Sequence, residues 1–464
     1  MKFVKSLSNL SYTENGALTL KSSLNTALDL FFIIGSANEN NIDEVFEKVK
    51  ESFNNDKEVT SRILLWARDI RQGAGRREIF KRFLDFIAEN DKEIYKRVIR
   101  KVPELGRFDD LITEKQLDLV GNELINILDF DNQLCAKWMP REKSSKSKLA
   151  KKLMKLLKLN AKDYRKLLSS NTCVVENKMC SKEWNLIEYE KTPSKAMAKY
   201  NDAFERNDRE RFENYQESLV KGESKVNTSA IYPYEIIRLL SKNDVLANEM
   251  WKNQKNWMEG SKKTLFPIID VSGSMDSEIQ GSTTALNVAI SLGMYLSERN
   301  NEDFKDYFIT FSNNPEMIKI EGNDLRERYK SIRRSNWGMN TDFDKTFDLI
   351  LNRAKADNLS QEDLPDALVV LSDMEFDEAQ RDGETNFEYI RDSFKNSGYK
   401  MPELIFWNIN GRSGNVPVKK DENGTCLISG FSPSIVKGLL TNDLNNLNPE
   451  KIMFETINKE RYDF

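Results

Sequence analysis

Histidine is absent from all 464 residues. That absence removes Ser-His-Asp and Cys-His catalysis, HExxH metalloprotease chemistry, Cys2His2 fingers and any imidazole proton shuttle. Acid–base work, if there is any, falls to carboxylates, Lys or Tyr. Cysteine is scarce too, at four residues: Cys135, Cys173, Cys180 and Cys426. Only Cys173 and Cys180 are near each other, and six intervening residues is not a metal-ligand spacing. So few thiols in so long a chain fit a reducing compartment. Long apolar runs are missing as well. The opening MKFVKSLSNLSYTENG has no continuous apolar stretch of the signal-peptide kind. The most apolar early segment, 28–37, contains Asp29 and is too short to span a bilayer. A cytoplasmic protein is the expectation.

What is present is a well-mixed globular composition: 39% hydrophobic, 31% charged, with only 20 Gly and 11 Pro, which argues against a low-complexity chain. At ~100–200 residues per domain, the length predicts two to four domains. The net charge of −4 hides an asymmetry. Of 70 Lys+Arg and 74 Asp+Glu, 22 and 34 lie from Thr264 onward, a net of −12 there against +8 before it. The basic excess is itself local. Residues 137–168 hold twelve Lys/Arg against Glu142 and Asp163 alone. Opposed charge in two halves suggests two domains with different partners.

Residues 17 to about 250 read as helix after helix. Apolar positions at helical spacing run through 59–68, then resume after the RQGAGRR link at Ile79, Phe80, Phe83, Phe86 and Ile87. Gly73 and Gly75 mark a turn between the paired helices. Leu149, Leu153, Leu156 and Leu157 form one helical face, with the lysines mostly off it, and Asn160 can cap the next helix with Asp163 three residues on. Successive helix pairs of this kind predict an α-solenoid. The character switches near Leu265. LFPIID is followed by a helix, a strand at 307–311, a helix at 343–353, a strand at 367–371, a helix at 387–394 and a strand at 404–409. This alternation predicts a doubly wound, mostly parallel α/β domain. The fold class is therefore α plus α/β, divided into 1–263 and 264–464.

Asp270, Ser272 and Ser274 form a D-x-S-x-S motif directly after the first strand of that domain. In an open α/β sheet, ligands bind beyond the carboxyl ends of the strands, where this turn lies. Asn340-Thr341-Asp342 before a helix, and Ser372-Asp373 closing ALVVLSD, reach the same edge. Three hydroxyls and two carboxylates (Asp270, Ser272, Ser274, Thr341 and Asp373) are hard oxygen donors suited to Mg²⁺, or to another hard divalent cation such as Mn²⁺ or Ca²⁺. Mg²⁺ keeps positions for outside oxygens, so one is expected to serve a partner. FPIIDVSGSM, NTDFD and LSD resemble the metal-ion-dependent adhesion site of von Willebrand factor type A domains. The resemblance places the same five residues at that site's ligand positions. So hydroxyl-rich a set argues against a metal-dependent nuclease or phosphatase.

The resemblance extends upstream. RDIRQGAGRREIF, GRFDDLI, KWMPREKS, the stretch from DYRKLL to YNDAF, and VNTSAIYPYEII are similar to the TROVE module of the Ro family of RNA-binding proteins and its prokaryotic and phage-borne relatives. That family implies a ring of HEAT-like helical repeats ahead of a von Willebrand A domain, no catalysis, and single-stranded or misfolded non-coding RNA as ligand. On physical grounds a polyanion binds where Lys and Arg displace its counterions. The candidate contacts are Arg71, Arg76 and Arg77 around the two-glycine turn, and Lys137, Arg141, Lys143, Lys148, Lys151, Lys152, Lys155, Arg165 and Lys166 in the basic run, with Trp138 and Tyr164 placed to stack on unpaired bases. The rival expectation is a protein-interaction scaffold whose metal grips an acidic partner residue and which takes no RNA. Neither reading calls for a membrane.

Overall fold

A computed structural model of the chain describes residues 9–280, 283–311, 314–334, 342–377, 385–441 and 448–464. Contacts divide it into two compact units that interleave along the sequence. One is drawn from Met1–Asp56, Tyr232–Trp251 and Lys255–Asn458, the other from Lys57–Ile231, Lys252–Gln254 and Lys459–Phe464. The division therefore differs from a linear one at 263/264, although the change to a β-sheet does begin at Leu265. The physical reason lies in the first 56 residues. After a short hairpin, β1 (Leu10–Tyr12) with β2 (Leu18–Leu20), comes α1 (Thr26–Ile34), in which every residue from Ala27 to Ile34 is buried. A helix apolar on all sides needs cover all round, and here the sheet supplies part of it. The hairpin also corrects the all-helix expectation from residue 17. Next, α2 (Ile42–Asn55) buries Val45, Val49 and Phe53 along one stripe and packs on α1.

The helical unit follows from ordinary amphipathic patterning. α3 (Lys57–Arg68) packs against α4 (Arg77–Asn90), and α4 in turn against α5 (Lys92–Val98) and α6 (Glu114–Ile125). α4 buries Ile79, Phe80, Phe83, Leu84 and Ile87, the expected face with Phe86 at its edge. α7 (Gln133–Trp138), α8 (Ser147–Leu156) and α9 (Ala161–Ser170) carry the basic run, and α8 packs on α6. That packing is close: a Cβ on Gly121 would lie 2.8 Å from Leu156 Cδ1. The cap expected at Asn160 is present, its side chain accepting the Asp163 N–H at 2.9 Å. α10 (Val175–Cys180) buries none of its residues, while α11 (Ser194–Asn207) and α12 (Arg209–Val220) pair around Phe204, Phe212 and Tyr215.

In the α/β unit, α13 (Pro233–Leu239) and α14 (Asp244–Lys252) precede the six-stranded sheet. Its strands are β3 (Leu265–Asp270), β4 (Tyr307–Phe311), β5 (Met317–Lys319), β6 (Ala367–Ser372), β7 (Glu403–Asn408) and β8 (Thr425–Ser429). The order is β8-β7-β6-β3-β4-β5, parallel except for β5, a short edge strand antiparallel to β4. β3, β6, β7 and β8 are buried at every position, which is why the first three read as nearly continuous apolar runs rather than alternating ones. α15 (Ala285–Glu298) covers one face, where Gly293 sits so close that an added Cβ would fall 2.4 Å from Ile269 Cδ1. α17 (Phe343–Ala356), which follows α16 (Leu325–Arg333), covers the other, with Phe343 edge-on to Phe311 at 5.4 Å and stacked near Phe406 at 6.1 Å. The sheet is thus doubly wound: the connection leaving β3 runs to β4 on one side and that leaving β6 runs to β7 on the other, which puts the topological switch point at the carboxyl ends of β3 and β6. α18 (Asn386–Asn396), α19 (Val436–Thr441) and α20 (Pro449–Ile457) complete the unit.

The N-terminal segment is built into this sheet. α1 packs against β8 and α20, with Ser429 Oγ donating to the Phe31 carbonyl at 2.7 Å and Asn408 Nδ2 to the Phe32 carbonyl at 2.9 Å. Gly35 ends α1 at φ −66°, so alanine suits its backbone, yet a Cβ there would lie 2.4 Å from the Ser429 carbonyl oxygen. Gly35→Ala is therefore expected to destabilise the α/β unit by about 1–3 kcal/mol through overpacking alone. Calorimetry of the variant checks this, and an unchanged melting temperature would show that α1 can lift from β8 at no cost.

Candidate metal centre and nucleic-acid interface

β3 ends on Asp270 and adjacent β6 ends just before Asp373, so sheet pairing alone brings the two carboxylates to one edge. Asp270 is fully buried. Its Oδ1 accepts the Ser272 N–H at 2.9 Å, an Asx-type turn that folds the loop back, and its Oδ2 accepts the Ser372 hydroxyl at 2.5 Å. The Ser272 and Ser274 hydroxyls lie 3.0 Å apart, and the Ser274 hydroxyl bonds to Asp373. Asp373 is also buried, and accepts the Glu375 N–H at 3.3 Å. The residue after it, Met374, is held at φ +68° with its N–H on Ser372 Oγ at 2.9 Å. A left-handed conformation at a bulky side chain is costly and collects at functional turns.

Burial pushes the Asp270 carboxyl above its ordinary range. Asp373 is pushed up to about 7, first by burial and then by the charge of Asp270. Among the described residues no Lys or Arg pairs with either carboxylate, and no group of three or more His, Cys, Asp or Glu side chains forms a metal site. Two buried carboxylates with no direct ion pair among the described residues, feeling Arg412 only at longer range, sit beside three hydroxyls and fit a hard cation bound through oxygen. Thr341, the fifth expected ligand, and Met339-Asn340 before it lie outside the described residues. Asp342, next in the chain, caps α17 by accepting the Lys345 N–H at 3.0 Å.

A carboxyl whose folded pKa is raised holds its proton in the folded state, so its contribution to stability is complete below about 4 and is lost as pH rises through about 7. Metal-free protein should therefore melt lower at pH 8 than at pH 5.5, and Asp373→Asn should flatten that slope. Added Mg²⁺ should raise the melting temperature more at pH 8, where Asp373 has lost its proton and is free to bind it. Equal Mg²⁺ shifts at both pH values would argue against Asp373 as a ligand.

The basic face is on α8 of the helical unit. Ala150, Leu153 and Met154 point inward, leaving Lys148, Lys151 and Lys155 at i, i+3 and i+7 on the exposed side with no ion pair among the described residues. Lys152 turns back to Asp118 at 2.6 Å and Glu114 at 3.1 Å. Arg141, Lys143 and Lys166 are exposed; Arg165 is exposed too, with Nε on the Ala161 carbonyl at 3.1 Å. Lys137 is held by Glu176 at 2.9 Å. The two-glycine turn is differently occupied. Arg76 is buried, Arg71 donates to the Glu104 carbonyl at 3.2 Å, and Arg77 spans Asp109 and Asp110, each at 2.7 Å. Tyr164 is not a stacking platform: it is 1% exposed and its hydroxyl donates to the Pro140 carbonyl at 2.9 Å. Trp138 is half-buried, with the Arg107 guanidinium 3.3 Å over its ring.

Two family models match this chain. One, described as a domain of unknown function (DUF2828), covers residues 13–91 and 125–275; the other, also described as a domain of unknown function (DUF7788), covers 265–462. They overlap at 265–275, the strand and turn that carry Asp270, Ser272 and Ser274. An uncharacterized protein, L728, of Acanthamoeba polyphaga mimivirus is 27% identical over 511 residues, covering 97% of this chain and 88% of that protein. The crystal structure of the Deinococcus radiodurans RO (RSR) protein aligns with 94% of this chain and 100% of its own, at 11% sequence identity and a TM-score of 0.37. The family descriptions name no activity, so the chemistry rests on the residues themselves.

Several residues at this strand edge were not among the expected ligands. Ser372 holds Asp270, and its place beside Asp373 in LSD was a usable sign. The N-terminal hairpin also reaches this edge. Glu14 N–H bonds to Glu375 Oε2 at 2.8 Å, Asn15 Nδ2 to the Glu375 carbonyl at 2.8 Å, and Thr13 Oγ1 to the Phe376 carbonyl at 2.6 Å. Nothing local in YTENG signals a partner some 360 residues away. No helix among the described residues is long and apolar enough to cross a membrane.

Proposed function

We propose that this protein binds RNA without catalysing a reaction, taking single-stranded ends or misfolded non-coding RNA on its helical unit. The observation that carries this reading is the row of exposed, unpaired lysines on α8, Lys148, Lys151 and Lys155. A polyanion's phosphates displace condensed counterions on such a row, and the sequence resemblance to the Ro family supports RNA as that polyanion. Lys143, Arg141 and Lys166 extend the exposed charge. Arg77, Lys137 and Lys152 already have carboxylate partners, so they contribute less.

In the same proposal the α/β unit resembles a von Willebrand A domain, and Asp270, Ser272, Ser274 and Asp373, with Thr341, would hold Mg²⁺ or a similar cation. When bound, the cation offers a Lewis-acidic position for a partner's carboxylate or a phosphate oxygen. Ser372 and the Ser272 amide orient the Asp270 carboxylate toward that role.

Fluorescence anisotropy with a labelled single-stranded RNA, titrated against salt, tests the RNA reading. The expected result is binding whose logarithm falls linearly with log salt. The buried, unpaired carboxylate pair also suits a second reading, a scaffold that captures an acidic protein partner through the metal. Under that reading freshly purified protein would carry no RNA by its 260/280 nm absorbance ratio, and EDTA or Asp270→Ala would release the partner.

A further inference from the structure

The segment leading into β3, residues 255–261, is a hydrogen-bonded loop beside a cavity that the RNA and metal sites leave unused. One buried hydroxyl pins it. Tyr295 Oη accepts the Trp257 N–H at 2.8 Å and donates to the Lys255 carbonyl at 2.6 Å. Asn256 Oδ1 accepts the Met258 N–H at 3.0 Å, and Met258 is buried beneath the loop. Above it Gly260 sits at φ +80° with nothing within 4 Å of where a Cβ would be, so the loop opens there. The cavity measures about 280 Å³, is open to solvent, and is lined by this loop together with Lys437 and Leu440 of α19.

The chemistry of its walls is specific. Trp257 is half-buried, with Lys255 Nζ 4.0 Å from its ring centroid, so a cation is already poised at the indole. Lys255 and Lys437 are both exposed and form no ion pair among the described residues. Glu259 is the one carboxylate on the lining, so the cavity carries a net positive charge. Asn256 and the Ser261 hydroxyl, which accepts the Lys263 N–H at 3.1 Å, add neutral donors. A flat ring stacks on an indole, and lysines recognise phosphate as point charges. The volume, just below the usual small-molecule range of roughly 300–1,000 Å³, suits one nucleotide rather than a strand.

We propose that this cavity binds a nucleoside phosphate, the base against Trp257 and Leu440 and the phosphate between Lys255 and Lys437. The proposal is independent of the RNA reading, because it lies in the α/β unit and uses none of the α8 lysines. The same chemistry is offered by a free mononucleotide and by a phosphorylated RNA end. Isothermal titration calorimetry on the full chain separates them, with AMP, adenosine, inorganic phosphate, and a pentanucleotide with and without a 5′-phosphate. Saturable AMP binding, weakened at least tenfold in Lys437→Glu and in Trp257→Leu and unchanged in the Lys148/Lys151/Lys155→Glu variant, is the expected result. Adenosine and phosphate alone should each bind at least tenfold more weakly than AMP. If the 5′-phosphorylated pentanucleotide binds as AMP does, the site reads an RNA end; if AMP binds alone, the ligand is a free nucleotide. Lys437 is exposed, so its substitution leaves the fold intact and the test valid. No saturable binding of AMP or the phosphorylated pentanucleotide, or binding indifferent to Lys437→Glu, overturns the proposal.

Discussion

Replacing Lys148, Lys151 and Lys155 together by Glu is expected to weaken single-stranded RNA binding by about 100-fold at 0.1 M salt. Each phosphate contact to a single strand adds about 0.7 to the slope of log affinity against log salt, so three lost contacts remove about 2 from it. At 0.1 M that slope change corresponds to roughly two decades in affinity, before any repulsion from the new carboxylates. All three side chains are exposed and unpaired, so the fold should be untouched and the circular dichroism unchanged. Lys152→Gln is the internal control. Its ammonium already faces Asp118 and Glu114, so its loss should change affinity far less than any one of the three. An RNA affinity that survives the triple reversal with its salt slope intact would remove the basis for the proposed function.

The largest expected effect on stability is at Asp110. It is fully buried and accepts Arg68 Nε at 2.7 Å, Arg77 Nε at 2.7 Å and the Arg107 N–H at 2.9 Å. Arg68 is only 4% exposed, so removing the carboxylate would strand its charge in the interior. Breaking one partner of a buried pair typically costs about 3–5 kcal/mol, much of it the penalty for the charge left behind. Asp110→Ala is therefore expected to unfold or strongly loosen α3 to α6. Because the chain has two units, a single unfolding free energy is poorly defined, and hydrogen exchange resolved along the sequence is the better measurement. Protection should fall across 57–125 and remain at β3, β6 and β7. Undiminished protection in 57–125 would show that the cluster does not organise the helical unit.

The α/β half was legible because parallel strands buried on both faces must be apolar throughout. LFPIID, YFITF, ALVVLS and LIFWN all became strands within a residue of their expected limits. The turn after the first of them was legible for a different reason. Asp and Ser at alternating positions after a strand end both fold the loop and supply oxygens, and the structure brings Asp270, Ser272, Ser274 and Asp373 together. β8 escaped notice because TCLIS is short and mixed, and its pairing with β7 is what makes it a strand.

The arginines show the opposite case. Around Gly73 and Gly75, Arg71, Arg76 and Arg77 look from sequence like a phosphate cradle. Only folding reveals that Asp109 and Asp110, about 32 residues downstream, take up Arg77. Tyr164 likewise looked available until packing against α7 and Pro140 enclosed it. The basic run itself was plain, but which of its lysines remain free was not.

By itself the sequence determined the helical and α/β character of the two halves, the oxygen-only donors at the strand ends, and the placement of positive charge near residue 150. These depend on residue type and on spacing along one element, and both are local properties. The tertiary structure alone decided that residues 9–56 complete the sheet unit, that Lys459–Phe464 joins the helical one, and which charges meet a partner inside the protein. Those outcomes depend on which distant surfaces bury one another, and burial is a property of the whole chain that no window of sequence contains.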